Sequence, residues 1–419
     1  MDKGSDISKP LSVEEQLEQK LNLKQLQVNR LLNITQAINS NVSGEGLFNM
    51  YSSFLSWEMG VRKMLLYFKA EDSWQLKTFI GVDEERTKED ISFLFDRFDR
   101  TGNIEEPDHP LLKEFDIVVP VRHKETEIAL VFIGGFEEDE DMYNKVQFIT
   151  TITNIIAVAI ENKRLFKKQV NQEKLKREME LASEMQLMLV PSILPSGNSY
   201  ELASIYKPQI GVGGDYFDYI DFIDDSFAFC VADIAGKGIA AALLMANFQA
   251  NLHSLIRSKE SLSELVHDLN NSIYRVTKGE RYITFFIAEF NKETRKLKYI
   301  NAGHNQPILF LDGQLFRLDK GSTFLGSFKE IPSKIEIGTF DIPNDAMILS
   351  YTDGLSDLKN VSGEYMDEEL LKSFVLKNHE LSARKFNSAL LQTIEEFKGE
   401  GIYPDDLTVL TCKIFGKKG

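Results

Sequence analysis

Four aspartates stand where apolar stretches run out into glycine-rich turns. They lie in Gly213-Gly214-Asp215-Tyr216, Ala232-Asp233-Ile234-Ala235-Gly236, Tyr351-Thr352-Asp353-Gly354 and Pro404-Asp405-Asp406-Leu407. A carboxylate at the mouth of a buried strand is a hard oxygen donor, and several arriving from distant parts of a chain build a site for Mg²⁺ or Mn²⁺. Glycines beside Asp215, Asp233 and Asp353 permit tight turns and close backbone approach. Gathered carboxylates repel one another unless cations neutralise them, and two divalent ions are the simplest way to keep the set ionised. Ions held in this way generate a nucleophile from bound water near neutral pH and clamp a phosphoryl oxygen. A single Asp-Gly is a plain turn; four such aspartates, each adjoining a buried strand, point to a site.

The elements around them must bring these residues together. Strands over 216–222 and 226–233 flank the turn Ile223-Asp224-Asp225 and form a hairpin with Asp215 and Asp233 at the same rim. Gly236 and Gly238 open a helix over 239–257, followed by another over 262–277. Further strands cover 281–290 and 296–301, then 307–311 and 314–318 around the turn pair Asp312-Gly313. A buried strand over 346–352 runs into Asp353, and the last strand covers 407–414. Two antiparallel sheets with helices outside would bury these strands and bring their ends together.

The N-terminal half is organised differently. Residues 13–40 read as a helix with Leu17, Leu21, Val28, Leu31 and Ile38 on alternating steps of four and three, and with Lys24 and Thr35 in the remaining slots. Such a seam suits a short coiled coil, or the first helix of a bundle packing on its own domain. From 44 to 162 the order is a helix (46–57), strands over 61–69 and 74–80, a variable middle, strands over 115–121 and 127–136, and a helix over 141–162. The face of that last helix is marked by Val146, Ile149, Ile152, Ile156 and Ile160. This order fits one antiparallel sheet with helices packed at one face. Residues 161–190 continue as helix, with Leu175, Met179, Ala182 and Leu189 sharing a face that Leu181, Met185 and Met188 widen. Pro191 and Pro195 end it. The expected organisation is an α+β multidomain chain: an N-terminal helix (1–40), a sheet domain (41–162), a helical linker (163–190) and a large C-terminal domain (191–419).

Bulk properties narrow the function classes. At 419 residues, 43% hydrophobic and 27% charged, the chain is globular and too long for one core. A net charge of −16 argues against a nucleic-acid partner, which needs a basic face. Two cysteines, Cys230 and Cys412, both in predicted strands, exclude a disulfide scaffold and fit a reducing cytoplasm. No 18-residue apolar run occurs and the first six residues lack an apolar signal core, so no transmembrane segment is expected and the location is read as cytoplasmic.

Two resemblances add to these readings. Residues 44–162 resemble a GAF domain through 61–69, Asp116-Ile117-Val118-Val119-Pro120-Val121 and 128–135. The likeness implies a sensor with a possible small-molecule ligand such as a cyclic nucleotide, or none. Bilin-binding members use a cysteine, and this segment has none. Residues 190–419 resemble the PPM (type 2C) metal-dependent serine/threonine phosphatases in their SpoIIE/RsbU-like branch. The carrying motifs are Val212-Gly-Gly-Asp-Tyr-Phe-Asp218, Ala232-Asp-Ile-Ala-Gly-Lys-Gly238, Asn301-Ala-Gly-His-Asn-Gln-Pro307, Ser350-Tyr-Thr-Asp-Gly354 and Asp405-Asp-Leu-Thr408.

The second resemblance implies a PPM-type α/β/β/α sandwich holding two divalent cations, Mn²⁺ or Mg²⁺. In it Asp233 bridges both ions, with the Ile234 carbonyl as a possible further ligand. Asp353 and Asp405 complete the first shell, Asp215 serves the second ion, and Asp406 supports. It further implies in-line attack of water on a phosphoserine or phosphothreonine. Eukaryotic relatives carry a histidine two places after the bridging aspartate, as a candidate general acid, where this chain has Ala235. None of the arginines near Asp215 replaces their phosphate-binding arginine, so Lys207 and Lys237 are the candidates. His304 either pins its loop or takes part in catalysis. The implied substrate is an anti-sigma-factor antagonist in a partner-switching pathway, the implied assembly a homodimer, and the linker helix a lever. Two competing readings are a catalytically weak phosphatase fold that sequesters a partner, and a dimerising scaffold.

Overall fold

The structure is a computed structural model that describes residues 12–70, 73–105, 109–124, 126–135, 142–209, 211–223 and 225–416. The expected strand end Phe136, helix start Asp141, turn residues Glu125 and Asp224, and the N-terminal six residues lie outside the described residues. Two compact units divide the chain, Met1–Gln172 and Glu173–Gly419.

The first unit comprises α1 (Val13–Asn39), α2 (Gly44–Trp57), β1 (Lys63–Ala70), β2 (Ser73–Ile80), β3 (Gly102–Asn103), β4 (Ile117–His123), β5 (Thr126–Gly134) and the first part of α3 (Met142–Leu187). Ser12 and Glu15 close a reciprocal capping box at the start of α1, and Ser43 caps α2. The strands form one antiparallel sheet in the order β2-β1-β5-β4-β3. One face packs Met64, Leu66, Val119 and Val131 against Leu47, Tyr51 and Leu55 of α2 and Ile149, Ile152 and Ile156 of α3. The other face, with Leu65, Tyr67, Leu130 and Phe132, is covered by the variable middle through Leu94, Phe95 and Leu112.

The expected helices over 141–162 and 161–190 are one 46-residue helix, α3. It ends at Leu187 rather than 190, and its last turns with the three residues after them bury a narrower face than the sequence suggests. Gln186 and Val190 are buried, Met179, Ala182 and Leu189 half-buried, while Leu175, Leu181, Met185 and Met188 stay exposed. In α1 the buried positions are Ile34 and Ala37, whereas Val13, Leu17, Leu21 and Val28 face solvent.

The second unit adds β6 (Tyr200–Lys207), β7 (Tyr216–Asp221), β8 (Ser226–Ile234), α4 (Ile239–Leu255), α5 (Leu262–Thr277), β9 (Ile283–Asn291), β10 (Lys296–Ala302), β11 (Ile308–Leu311) and β12 (Gln314–Arg317). It is completed by β13 (Gly321–Ser322), β14 (Gly338–Asp341), β15 (Ala346–Tyr351), α6 (Asp353–Ser356), α7 (Glu368–Asn378), α8 (Ala383–Lys398) and β16 (Leu407–Ile414). One sheet runs β13-β10-β9-β8-β7, with β14 also pairing β10; the other runs β12-β11-β15-β16-β6. Their inner faces meet in one core that also takes in Leu244 and Phe248 of α4 and Leu265 and Leu269 of α5. Helices α7 and α8 cover the outer face of the second sheet through Leu371, Val375, Phe386 and Leu390. Strands β8, β15 and β16 are therefore buried on both faces, which is why they read as unbroken apolar runs. Cys230 and Cys412 lie within this core, on β8 and β16.

One pairing departs from the wholly antiparallel expectation. The chain leaves β10 for the β11–β12 hairpin of the other sheet and returns alongside β10 in the same direction, so β13 pairs parallel to it. The approach at Gly321 admits no side chain, since a Cβ there would lie 1.9 Å from the Asn301 carbonyl oxygen. Asp312 and Gly313, with φ of 49° and 79°, make the tight hairpin turn expected of an Asp-Gly pair.

Candidate active site

The pairing register brings the aspartates to one end of the two sheets. Tyr216 pairs with Ala232, so Asp215 and Asp233 flank the same end of the β7–β8 ladder. Asp233 in turn pairs with Thr284 of β9. From the other sheet, Thr352 exchanges hydrogen bonds with Thr408, which sets Asp353 beside the Asp405–Asp406 turn. The Thr352 hydroxyl then donates to Asp215 Oδ2 at 2.7 Å and links the two sheets. At Gly354 a Cβ would lie 1.9 Å from the Asp406 carbonyl oxygen, so only glycine lets these two turns meet.

Within the cluster the side chains differ in what holds them. Asp406 accepts from the amides of Gly214 (2.6 Å) and Gln209 (2.8 Å), so its carboxylate anchors the loop before Asp215. Asp405 lies 2.9 Å from Lys237 Nζ, and Lys237 also donates to Gln209 Oε1 and the Pro404 carbonyl. The Ile234 carbonyl turns towards Gly214, where an added Cβ would meet it at 2.7 Å and Asp233 Oδ1 at 3.5 Å. Burial, then the charges of Asp353, Asp405 and Asp406, push the Asp233 carboxyl up to about 7. Asp353 is raised by burial and by Asp357 and Asp405. Asp215, fully buried, is raised well above the ordinary range by burial and then by Asp233. Several acids thus share a space in which, among the described residues, Lys237 is the one cation lowering the Asp233 and Asp353 carboxyls.

The donor set, carboxylates with a main-chain carbonyl, fits a hard divalent cation. As the side chains stand, no three His, Cys, Asp or Glu groups among the described residues converge closely enough to hold one. Lys237 holds Asp405, and main-chain amides hold Asp406.

Of the two candidate lysines, Lys237 sits in the cluster, while Lys207 is tied to Glu395 and Tyr403. His304 is buried, with Nδ1 2.8 Å from the Thr284 hydroxyl and its amide on Asn301 Oδ1. Burial lowers its pKa to about 4, with the Tyr351 backbone opposing, so near neutral pH it is an uncharged pin for its loop.

Two neighbours of the aspartates escape sequence reasoning. Gln186, in the last turn of α3, donates through Nε2 to the Gly213 carbonyl (2.6 Å) and accepts the Gly213 amide on Oε1 (2.9 Å). A lone polar residue on an otherwise apolar helix face was the available signal. Arg281, two residues before β9, donates to the Ala235 carbonyl at 3.0 Å and lies over Gly236, whose added Cβ would meet its Nη1 at 2.2 Å. Nothing in its local sequence marks it.

Comparison with known proteins bears on the C-terminal part of the chain. The pattern of stage II sporulation protein E (SpoIIE) matches residues 223–415. Residues 223–415 form a SpoIIE domain. The match includes Asp233, Asp353, Asp405 and Asp406; Asp215 lies just ahead of it. The chain is 21% identical over 281 residues to the phosphoserine phosphatase RsbU of Bacillus subtilis, spanning 65% of this chain and 80% of that protein. Similarity to the phosphoserine phosphatase RsbP of the same organism is 26% over 188 residues, 43% of this chain and 46% of RsbP. In fold, the SpoIIE domain and its flanks resemble the PP2C domain of SiaA from Pseudomonas aeruginosa, with a TM-score of 0.51 at 18% identity over 57% of this chain and 97% of that one. Metal dependence is general to the PPM phosphatases to which SpoIIE domains belong. Among the described residues, no helix is long and apolar enough to cross a membrane.

Proposed function

We propose that residues 191–419 are a metal-dependent protein serine/threonine phosphatase regulated by the N-terminal unit. The observation that carries this reading is the gathering of Asp215, Asp233, Asp353, Asp405 and Asp406 at one end of two sheets, where burial first and neighbouring acids next raise the carboxyls of Asp215, Asp233 and Asp353. Asp233 would serve both of two divalent cations, Mn²⁺ or Mg²⁺, with the Ile234 carbonyl as a further donor, Asp353 and Asp405 on one ion and Asp215 on the other. When bound, such ions supply Lewis-acid charge and lower the pKa of a coordinated water. Asp406 orients the Gly213–Gly214 turn, Thr352 orients Asp215, and Lys237, now paired with Asp405, would have to release that carboxylate for it to hold a cation. Arg281 keeps donors free beside the Asp233 turn and takes the phosphoryl oxygens of the substrate.

The substrate is a phosphoserine or phosphothreonine on a small regulatory protein, an anti-sigma-factor antagonist of a cytoplasmic partner-switching pathway. Support comes from the relatives named phosphoserine phosphatases and from the acidic charge of the chain. The first unit is a GAF-like sensor, supported by its single antiparallel sheet with helices on one face, and a small molecule is its possible input. The exposed apolar seam of α1 favours a homodimer. One observation favours a second reading, a catalytically weak protein that sequesters its partner: Lys237 already occupies Asp405.

Phosphate release from a phosphoserine protein with Mn²⁺, with Mg²⁺ and with chelator separates the two. Metal-dependent release that disappears in Asp233→Asn is the expected result. Absence of both release and calorimetric metal binding would transfer the case to the sequestering reading.

A further inference from the structure

The outer edge of the second sheet carries features that the acid cluster does not use. Strand β6 pairs with β16 on one side only. The Leu202 amide donates to the Pro195 carbonyl at 2.9 Å, away from β16, so the main-chain groups of Ser204 and Tyr206, two and four places on, face the same open side. Among the described residues neither has a main-chain partner there. Residues 191–194 and α8 line a groove of about 440 Å³ beside this edge.

Inside the groove one polar group is unsatisfied. Asn387 of α8 is only 4% exposed, and its Oδ1 accepts the Thr411 hydroxyl at 2.6 Å. Its Nδ2 has no partner among the described residues. Native proteins rarely leave a buried amide in that condition. Charge is equally distinctive. The chain has 64 acidic residues, yet the lining includes Lys207 and Arg384 and not one carboxylate. Lys207 is already held by Glu395 and Tyr403, whereas Arg384 has no anionic partner among the described residues.

We infer that this groove is a docking site for an extended acidic peptide of a partner protein, added as a further strand on the free edge of β6. Main-chain pairing with Ser204 and Tyr206 supplies register, a carboxylate meets Arg384, and an oxygen of the peptide satisfies Asn387 Nδ2. The site is separate from the acid cluster, and it does not depend on the phosphatase reading. It borders that cluster through Tyr206, whose hydroxyl donates to the Asp215 carbonyl at 3.4 Å.

Fluorescence anisotropy of the full chain with a labelled octapeptide of alternating Val and Glu tests this, beside the same peptide with Lys for Glu and a version with a central Pro. The Glu peptide should bind and the other two should not. Arg384→Glu, a change on an exposed helix surface, should weaken it by at least about tenfold. Asn387→Leu should weaken it further while the thermal melt stays two-state. The inference is overturned if no Glu-peptide binding is seen up to millimolar concentration, or if the Lys peptide binds equally. It also fails if neither variant changes the affinity, or if free succinate displaces the peptide at equal concentration, which would mark a small-anion site.

Discussion

Asp233 joins protonation to stability. Its carboxyl is pushed up to about 7 in the fold against an ordinary 3.8, so between those values the native state holds a proton that the unfolded chain has released. Native protein then binds more protons, and unfolding free energy must fall as pH rises through that window. The gap sets a ceiling of about 4 kcal/mol for this one group. His304 runs the other way, since its lowered pKa makes the unfolded chain take up a proton first on acidification below its ordinary 6.5. Thermal melts in chelator should therefore lose stability between about pH 4 and about pH 7, most clearly above 6.5 where His304 no longer opposes the trend, and Asp233→Asn should flatten that slope. Divalent metal should restore the high-pH end. A wild-type profile already flat in chelator would mean the acids do not share charge as described. Arg281 offers a second test at this scale. Losing hydrogen bonds to a charged group costs about 1.5–3 kcal/mol, so Arg281→Ala should lower kcat/KM roughly ten- to hundredfold. Arg281→Lys should recover part of that, and weaker inhibition by inorganic phosphate should accompany the loss. An unchanged kcat/KM would remove Arg281 from substrate binding. The aspartates were legible because a carboxylate at the end of an apolar run next to glycine is chemically conspicuous. Arg281 was not, because its place depends on the β8–β9 register and on the bare surface of Gly236.

The last turn of α3 makes its contact with the site through one side chain. Gln186 closes a pair of hydrogen bonds on Gly213, two residues before Asp215. Gln186→Leu leaves the buried amide and carbonyl of Gly213 without those partners, a cost of about 1–3 kcal/mol that falls on the loop carrying Asp215. The expected outcome is weaker activation by Mn²⁺, recovered at higher Mn²⁺, with kcat at saturation little changed. Titration of phosphate release against Mn²⁺ measures this, and an identical half-saturation point would separate α3 from metal binding. Sequence periodicity found the helix and its apolar side but widened that side too far. Leu181 and Met185 carry apolar chains that nothing in the second unit covers, and hydrophobicity alone does not reveal which residues find a neighbour.

At the level of the whole chain, the alternation of strands and helices after residue 200 was enough to anticipate two sheets with helices outside, because strands buried on both faces have a distinct composition. The parallel pairing of β13 was not legible. Two residues carry no periodicity, and their partner is fixed by a crossover between sheets. Nor did the sequence reveal which positions of α1 would be covered, since the buried Ile34 and Ala37 lie off the seam on which the exposed Leu17, Leu21 and Val28 stand. That difference yields a test of assembly. Leu17→Glu with Leu21→Glu changes side chains already exposed in the single chain, so the fold should be unaffected. Light scattering should find a dimer for the wild type and a monomer for the double variant; a monomer in both would withdraw the homodimer.

The burial of both cysteines has a practical consequence. Cys230 and Cys412 lie in the interior of the second unit with thiols pushed far above their usual range by burial, so neither offers a reactive thiolate to a maleimide or a nitroxide reagent. The wild-type protein is therefore a blank background for site-specific labelling. A single cysteine placed at exposed Leu175 would put a label on α3 with no other thiol to remove first.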